Sequence, residues 1–341
     1  MDETADAKSF VMDLGFSYLA GQFLTFRLCG TLRSYSMSSS PDTDGSLAVT
    51  VKRVPGGLVS GWMHDHLRPG AVVEVTRPAG VFCLRETAAP MVAFGAGSGI
   101  TPILSLVKSA LAVTARRVRV LTANRDSDSV IFRDTLDELA GRYPGRLEVR
   151  HHLDEGHGFV TGDQMRAFAG GDRDADFYIC GPAPFMDLAE RALLDGGVTP
   201  EQIFIERFET VAAPGASAEA SAVASAVASA VASAVASAGA SAVASAGQER
   251  EGTVCIVLAG QRQTVPQHAG ETLLESARRA GLSPPFSCEA GNCATCIAQV
   301  TEGEAKMRAN NALDDDEIAD GWVLTCQGEP VTPHVTVVYE D

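Results

Sequence analysis

A chain of 341 residues, 45 % of them apolar, is too long for one ordinary core and suits two or three domains. Its formal net charge of −16 repels a polyanion, and no Lys/Arg stripe compensates, so nucleic acid is excluded as a partner. The excess is uneven, with fourteen acidic against five basic residues from Glu251 onward, which serves solubility and, secondarily, would suit a basic partner.

The first residues, "MDETADAKSF", have neither a basic start nor an apolar stretch, so they are not a secretory signal and the chain is read as cytoplasmic. Residues 22–84 hold short β-rich runs, "QFLTFRL", "SLAVTVKRV" and "AVVEVTRPAG", broken by Gly and Pro, with one helical stretch from Leu58 to Leu67. This pattern predicts a small antiparallel β-barrel over residues 1–87. From Met91 to Phe208 strand-like and helix-like runs alternate, from "MVAFGAG" and "ILSLVKSAL" to "FMDLAERALLDGG" and "IFIERFE". Parallel strands need a crossover helix, so residues 88–210 are expected to form an α/β domain with a parallel sheet.

Residues 211–250 are dominated by a tetrapeptide repeat of Ala, Ser and Val and are read as a linker. Val at every fourth position drifts about 40° per repeat around a helix of 3.6 residues per turn, so the tract offers no stable apolar face. Two uncharged stretches, Ala88–Val107 and Ala220–Gly247, are long enough to span a bilayer, but Gly and Pro break the first and Ala and Ser fill the second. No membrane span is expected. Residues 251–341 read as two paired strands, "TVCIVLAG" and "QRQTVPQH", a helix "TLLESARRAG", a cysteine loop, another strand pair, a short acidic helix "DDDEIADG" and a closing strand "HVTVVYE". That order makes a compact α+β domain and resembles the β-grasp of plant-type ferredoxins.

The loop "CEAGNCATC" places Cys288, Cys293 and Cys296 in nine residues, and Cys326 follows after a gap of 29. C-x4-C-x2-C with a distant fourth cysteine is the plant-type spacing for a [2Fe–2S] cluster held by four thiolates. Ala290, Gly291, Ala294 and Thr295 are small, so the backbone can curl round an inorganic core, and Gly291 can supply a positive φ. A structural zinc site usually offers paired C-x2-C knuckles, of which only one is present, so the cluster is favoured over zinc and over disulfides. The other cysteines, at 29, 83, 180 and 255, read as reduced thiols.

"FGAGSGITP" follows a predicted strand and opens a helix, placing Gly95, Gly97 and Gly99 where a backbone approaches a pyrophosphate and a helix N-terminus faces its charge, with Ser98 and Thr101 in the same cofactor-binding run. By itself such a run is also an ordinary strand-to-helix turn. "CGP", Cys180 to Pro182, ends a later parallel strand at the edge where open α/β sheets bind ligands. Asn124 and Arg125 end another, within reach of an adenosine ribose, although Arg125 also fits a solvated turn. In "LRSYSMSSSP", Arg33, Ser34, Tyr35 and Ser36 offer a cation, hydroxyls and a ring on one strand. Gly56, Gly57 and Ser60 stand at a helix start.

Taken in order, R-x-Y-S, G-G-x-x-S, G-A-G-S-G-I-T-P, C-G-P and "IERF" resemble the ferredoxin–NADP reductase superfamily. With the C-terminal ferredoxin-like segment, the chain is similar to reductase components of multicomponent oxygenases, especially those of 3-ketosteroid 9α-hydroxylase and phenylacetyl-CoA epoxidase. The resemblance implies a chain carrying FAD, a [2Fe–2S] cluster and NADH or NADPH, which hands electrons to a terminal oxygenase or another acceptor protein. It implies that Arg33 contacts the flavin pyrophosphate, Tyr35 and Ser36 line the isoalloxazine, Ser34 belongs to the same cofactor-binding stretch, and Gly57, Leu58, Val59 and Ser60 hold the FAD phosphates. Thr101 and Cys180 would border the nicotinamide, Gly181 and Pro182 would belong to the same cofactor-binding edge, and Glu206 and Phe208 would lie near the flavin, although Phe208 also suits a core anchor. Ser36, Cys180 and Glu206 are the expected catalytic residues. Such reductases carry a further strand before the stretch matching "ETADAKSF", so the barrel is expected to lack its first strand. Asp126 and Asp128 beside Arg125 favour NADH. The pairs His64/His66 and His151/His152 match no motif and are read as surface residues, and the chain as a monomer.

Overall fold

The computed structural model describes residues 1–171, 174–207, 249–282, 284–286, 289, 291 and 294–339. The linker tract, Phe208, Cys288 and Cys293 lie outside the described residues. The chain divides into two compact units, Met1–Glu209 with Phe286–Thr295 and Asn310–Ala312, and Thr210–Pro285 with Cys296–Ala309 and Leu313–Asp341.

The N-terminal region contains six strands, β1 (Asp2–Thr4), β2 (Ala7–Met12), β3 (Phe23–Leu28), β4 (Thr31–Ser36), β5 (Leu47–Lys52) and β6 (Glu74–Val75), and one helix, α1 (Leu58–His66). They form two antiparallel sheets, β1-β2-β5 and β4-β3-β6, linked by the single bridge Met37↔Val49. Leu24, Phe26, Met37, Val49, Val51 and Met63 fill the core between them. The hairpin of β1 and β2 is not among the runs expected from sequence, because its acidic start masks a short alternating strand that pairs with β5 from Ala7↔Lys52 to Met12↔Leu47. His64, expected at the surface, is buried and its Nε2 lies 2.8 Å from the Val51 carbonyl. The helix turns it inward, which sequence spacing alone does not reveal.

The parallel sheet uses β7 (Met91–Ala96), β8 (Val118–Asn124), β9 (Leu147–Leu153), β10 (Asp176–Cys180) and β11 (Ile203–Glu206), in the order β11-β10-β7-β8-β9. Helices α2 (Ile100–Val113), α3 (Arg133–Arg142), α4 (Gly162–Ala169) and α5 (Ala183–Asp195) cover it. Side chains alternate between two cores: Met91 and Ala93 face that of α2 and α3, whereas Val92 and Phe94 face that of α4 and α5. The buried residues of α2 run almost all the way round it, because the helix packs on the sheet with one face and on the N-terminal region with another. Serines join that second contact: Ser105 Oγ donates to the Ser39 carbonyl at 2.6 Å, Ser40 and Ser109 hydroxyls meet at 2.7 Å, and Lys108 pairs with Asp44 at 2.8 Å.

The second unit holds β12 (Glu249–Leu258), β13 (Gln261–His268), α6 (Leu273–Arg279), β14 (Ile297–Glu302), β15 (Ala305–Met307), α7 (Asp315–Ala319), β16 (Trp322–Leu324), β17 (Gly328–Pro330) and β18 (His334–Val338). Five strands make a mixed sheet, β13-β12-β18-β14-β16, in which β12 and β18 run parallel. Thr272 and Glu275 cap α6 reciprocally, satisfying donors that the first turn leaves free. Leu273 and Ala277 of α6 pack with Val254, Ile256, Ala298 and Val335 of the sheet. This is the α+β arrangement expected from sequence. No described helix is long and apolar enough to cross a membrane.

Candidate functional site

The C-terminal ends of β7, β10 and β11 meet at one sheet edge. Gly95 is the register partner of Cys180, and Cys180 that of Glu206. Gly97 has a φ of +52°, a conformation that costs glycine little. Gly99 lies against the end of β10: a Cβ there would stand 2.1 Å from the Cys180 carbonyl oxygen, so only glycine permits the approach. Gly181 is similarly confined, since a Cβ on it would stand 2.9 Å from the Ala96 Cβ. Ser98 and Thr101 are joined by the Thr101 Oγ1 bond to the Ser98 carbonyl at 2.9 Å, which tightens the first turn leading into α2. Pro182 caps α5, and Asn124 Nδ2 donates to Thr122 Oγ1 at 3.3 Å. The expected nucleotide residues thus share one end of the sheet, next to the N-terminus of a fourteen-residue helix whose dipole favours an anion.

Burial shapes the chemistry there. Cys180 and Glu206 are both buried, and burial, reinforced by the Glu206 carboxylate, pushes the Cys180 thiol well above its usual range. Cys83, not marked by any sequence motif, is pushed up to about 11 by burial and then by the same carboxylate. Both sulfurs therefore remain neutral thiols at pH 7.

On β4 the expected residues alternate. Ser34 Oγ is bonded to Thr25 Oγ1 at 2.8 Å inside the sheet, and Arg33 is exposed, its Nη1 donating to Thr31 Oγ1 at 3.0 Å and to the Leu32 carbonyl at 2.7 Å. Tyr35 packs edge-on against Phe26 with ring centroids 5.7 Å apart, and burial pushes its hydroxyl up to about 12. Ser36 is buried, and its hydroxyl has no hydrogen-bond partner within the described protein. Such a group costs about 1–3 kcal/mol unless something supplies a partner, so the residue is suited to a polar ligand such as the edge of a flavin. Gly57 caps α1, and Ser60 Oγ accepts from Val54 N at 3.1 Å, holding the turn that carries Leu58 and Val59.

Of the cysteines read as cluster ligands, Cys296 and Cys326 are described, and both are buried. Thr325 holds the Cys296 carbonyl through its N at 3.1 Å and its Oγ1 at 2.9 Å, and Tyr339 donates to Thr325 Oγ1 at 3.0 Å. Gln327 Nε2 lies 3.8 Å from Cys326 Sγ. Glu289, Gly291 and Ala294 have φ values of +45°, +75° and +52°. Three left-handed residues in six positions give the tight curl expected of a backbone wrapped round an inorganic core, and buried thiols without a disulfide among the described residues fit iron–sulfur ligation.

Three family profiles match in succession: an oxidoreductase FAD-binding domain over residues 4–83, an oxidoreductase NAD-binding domain over residues 91–191, and a 2Fe-2S iron-sulfur cluster binding domain over residues 256–331. The chain is 36 % identical over its full length to the ferredoxin reductase component of 3-ketosteroid-9-alpha-monooxygenase from Mycobacterium tuberculosis, spanning 94 % of that protein. It is 32 % identical to a component of 1,2-phenylacetyl-CoA epoxidase from Escherichia coli, over 95 % of this chain and 89 % of the other. The structure of phthalate dioxygenase reductase, 23 % identical, superposes with a TM-score of 0.58 and covers 99 % of this chain and 95 % of that one, which shows a shared fold. Domains for FAD, NAD and a [2Fe–2S] cluster are therefore all present.

Proposed function

The chain belongs to the family of reductase components that join FAD-, NAD- and 2Fe-2S-binding domains in one polypeptide, and from that premise we propose that it delivers electrons from NADH to a terminal oxygenase. Ser36, a buried hydroxyl with no partner among the described residues, is the observation that carries the flavin assignment. Arg33, Ser34, Tyr35, Ser36 and the turn Gly57–Ser60 hold FAD in this reading, and Cys288, Cys293, Cys296 and Cys326 hold the cluster. When bound, the flavin converts the two electrons of a hydride into single electrons, the only kind a [2Fe–2S] cluster accepts.

The chain's own residues prepare that exchange. Gly95, Gly97, Ser98 and Gly99 let backbone and helix dipole meet the dinucleotide pyrophosphate, with Asn124 and Arg125 toward the ribose. Thr101, Cys180, Gly181 and Pro182 border the nicotinamide, and the neutral thiol of Cys180 adds no charge beside it. Burial, and after it the Glu206 carboxylate on the last rung of β10 and β11, keeps that thiol protonated. Reduced thiols at Cys29, Cys83, Cys180 and Cys255 suit a reducing, cytoplasmic compartment, and a monomer needs only one copy of each site.

The test uses the purified full chain under anaerobic conditions. Visible flavin and cluster absorbance bleached by NADH supports the reading, and a colourless protein after reconstitution sinks it. In Cys326→Ser, reduction of a one-electron protein acceptor should disappear while ferricyanide reduction persists. Equal loss of both activities would refute the division of labour.

A further inference from the structure

The Asp6 carboxylate, in the turn between β1 and β2, stands at the nucleotide edge of the parallel sheet although it belongs to the N-terminal region. Thr4 Oγ1 donates to its Oδ1 at 2.8 Å and fixes its direction. Its Oδ2 then faces two cations, Lys52 Nζ at 3.6 Å and Arg125 Nη2 at 3.9 Å. Lys52 ends β5 and also approaches the glycine turn, since a Cβ on Gly97 would lie 3.8 Å from its Nζ. Arg125 follows the last residue of β8. Asp6 thus occupies the corner between the glycine turn and the end of the neighbouring strand.

In doubly wound sheets this corner receives the adenosine ribose, where a carboxylate accepts the 2′-hydroxyl of NAD or an arginine takes the 2′-phosphate of NADP. The acids next to Arg125 in sequence are engaged locally. Asp126 Oδ1 accepts from Ser129 N at 2.8 Å as a cap, and Asp128 Oδ1 accepts from the Ser127 hydroxyl at 3.2 Å. The carboxylate that faces the Arg125 guanidinium is that of Asp6.

We propose that Asp6 is the specificity-determining residue for the dinucleotide, engaging Arg125 and placing negative charge where a 2′-phosphate would enter, so that NADH is preferred. The inference rests on the reading of this edge as the dinucleotide site. Arg125 is 71 % exposed, so the pair is a screened one and its removal shifts an equilibrium by no more than about fivefold.

Calorimetric titration of the full chain with adenosine 2′,5′-bisphosphate and with ADP-ribose separates the questions. Asp6→Asn should tighten the bisphosphate relative to ADP-ribose by about fivefold, and Arg125→Ala introduced into that variant should remove the gain. The ratio of kcat/KM for NADPH over NADH should rise in parallel. Asp6→Ser, whose short polar side chain also suits a turn, repeats the measurement should the asparagine variant fold poorly. An unchanged ratio in the Asp6 variants, or a gain that survives loss of Arg125, overturns the inference. Binding of neither nucleotide by the unaltered chain overturns instead the reading of the edge as a dinucleotide site.

Discussion

Cys180 and Glu206 are register partners on the last rung of β10 and β11, both buried, so a thiol and a carboxylate lie side by side at the edge where three strands end. The carboxylate raises Cys180 and also Cys83, a thiol 97 positions before Cys180 in sequence, after the larger effect of burial in each case. Replacing Glu206 by Gln should therefore lower both thiol pKa values and speed alkylation by iodoacetamide at pH 9, most visibly at the less buried Cys83. Mass-spectrometric labelling rates check this, and an unchanged rate at Cys83 would remove the carboxylate from the account.

The same thiols give stability a pH dependence of definite sign. Their folded pKa values lie above the ordinary value of 9.0, Cys83 at about 11, so the folded chain retains protons that the unfolded chain releases. Their contribution is fully present below pH 9 and is lost as pH rises toward 11. Urea midpoints measured from pH 8 to 11 should fall, and fall less steeply in Cys83→Ala. A midpoint rising through that window contradicts the assignment.

At the opposite end of β10, Asp176 accepts from Arg116 Nη2 at 2.5 Å and from Thr87 Oγ1 at 2.6 Å, and the side chains of Asp176 and Arg116 are 4 % and 2 % exposed. Removing one partner leaves a buried charge uncompensated, so Asp176→Ala should destabilise the chain by about 3–5 kcal/mol. Equilibrium denaturation of the Met1–Glu209 unit's signal measures it, and a loss below about 1 kcal/mol would place the pair among weak surface bridges.

Gly99→Ala sets a methyl group against the Cys180 carbonyl, 2.1 Å from its oxygen. The turn must withdraw from β10, so KM for the dinucleotide should rise at least about tenfold, since a misplacement of order 1 Å can cost up to about a hundredfold. Steady-state kinetics with ferricyanide reads the change, while unaltered flavin absorbance shows that the damage is confined to the nucleotide edge.

Ser36→Ala has effects of opposite sign in two measurements. Without flavin it removes a buried unpaired hydroxyl and should leave stability unchanged or raise it by about 1 kcal/mol. With flavin it deletes a hydrogen bond, so FAD should bind roughly fivefold more weakly. A variant that loses stability in the apoprotein would show that Ser36 has a structural partner instead.

The two textures of the Met1–Glu209 unit are visible in sequence because their periods differ: short β-rich runs with turn residues, then strand and helix in alternation. The glycines of "FGAGSG" are legible for a related reason, since positive φ and close approach leave few other residue types possible. The serines of "SMSSSP" carry no such mark of a seam between the N-terminal strands and α2. Ser40 meets Ser109 across 69 positions, and nothing in either local pattern signals the other. Cys83 is hidden in the same way, as it lies on a connection outside any strand and meets the Glu206 carboxylate of β11 only in the folded chain. His64 departs from its expected place because one histidine in a nine-residue helix faces inward or outward according to the phase of that helix on its sheet.

What the sequence determined by itself is what local chemistry dictates: the four-cysteine spacing, the glycine turn beside a helix start, and the order of three domains. Each follows from bond geometry or periodicity within about ten residues, apart from the distant Cys326. Tertiary structure alone decided which charges face one another. Asp6 meets Lys52 and Arg125, and Glu206 meets two thiols, because Coulomb forces and desolvation depend on separation in space, which the chain sets only once its strands have found their register.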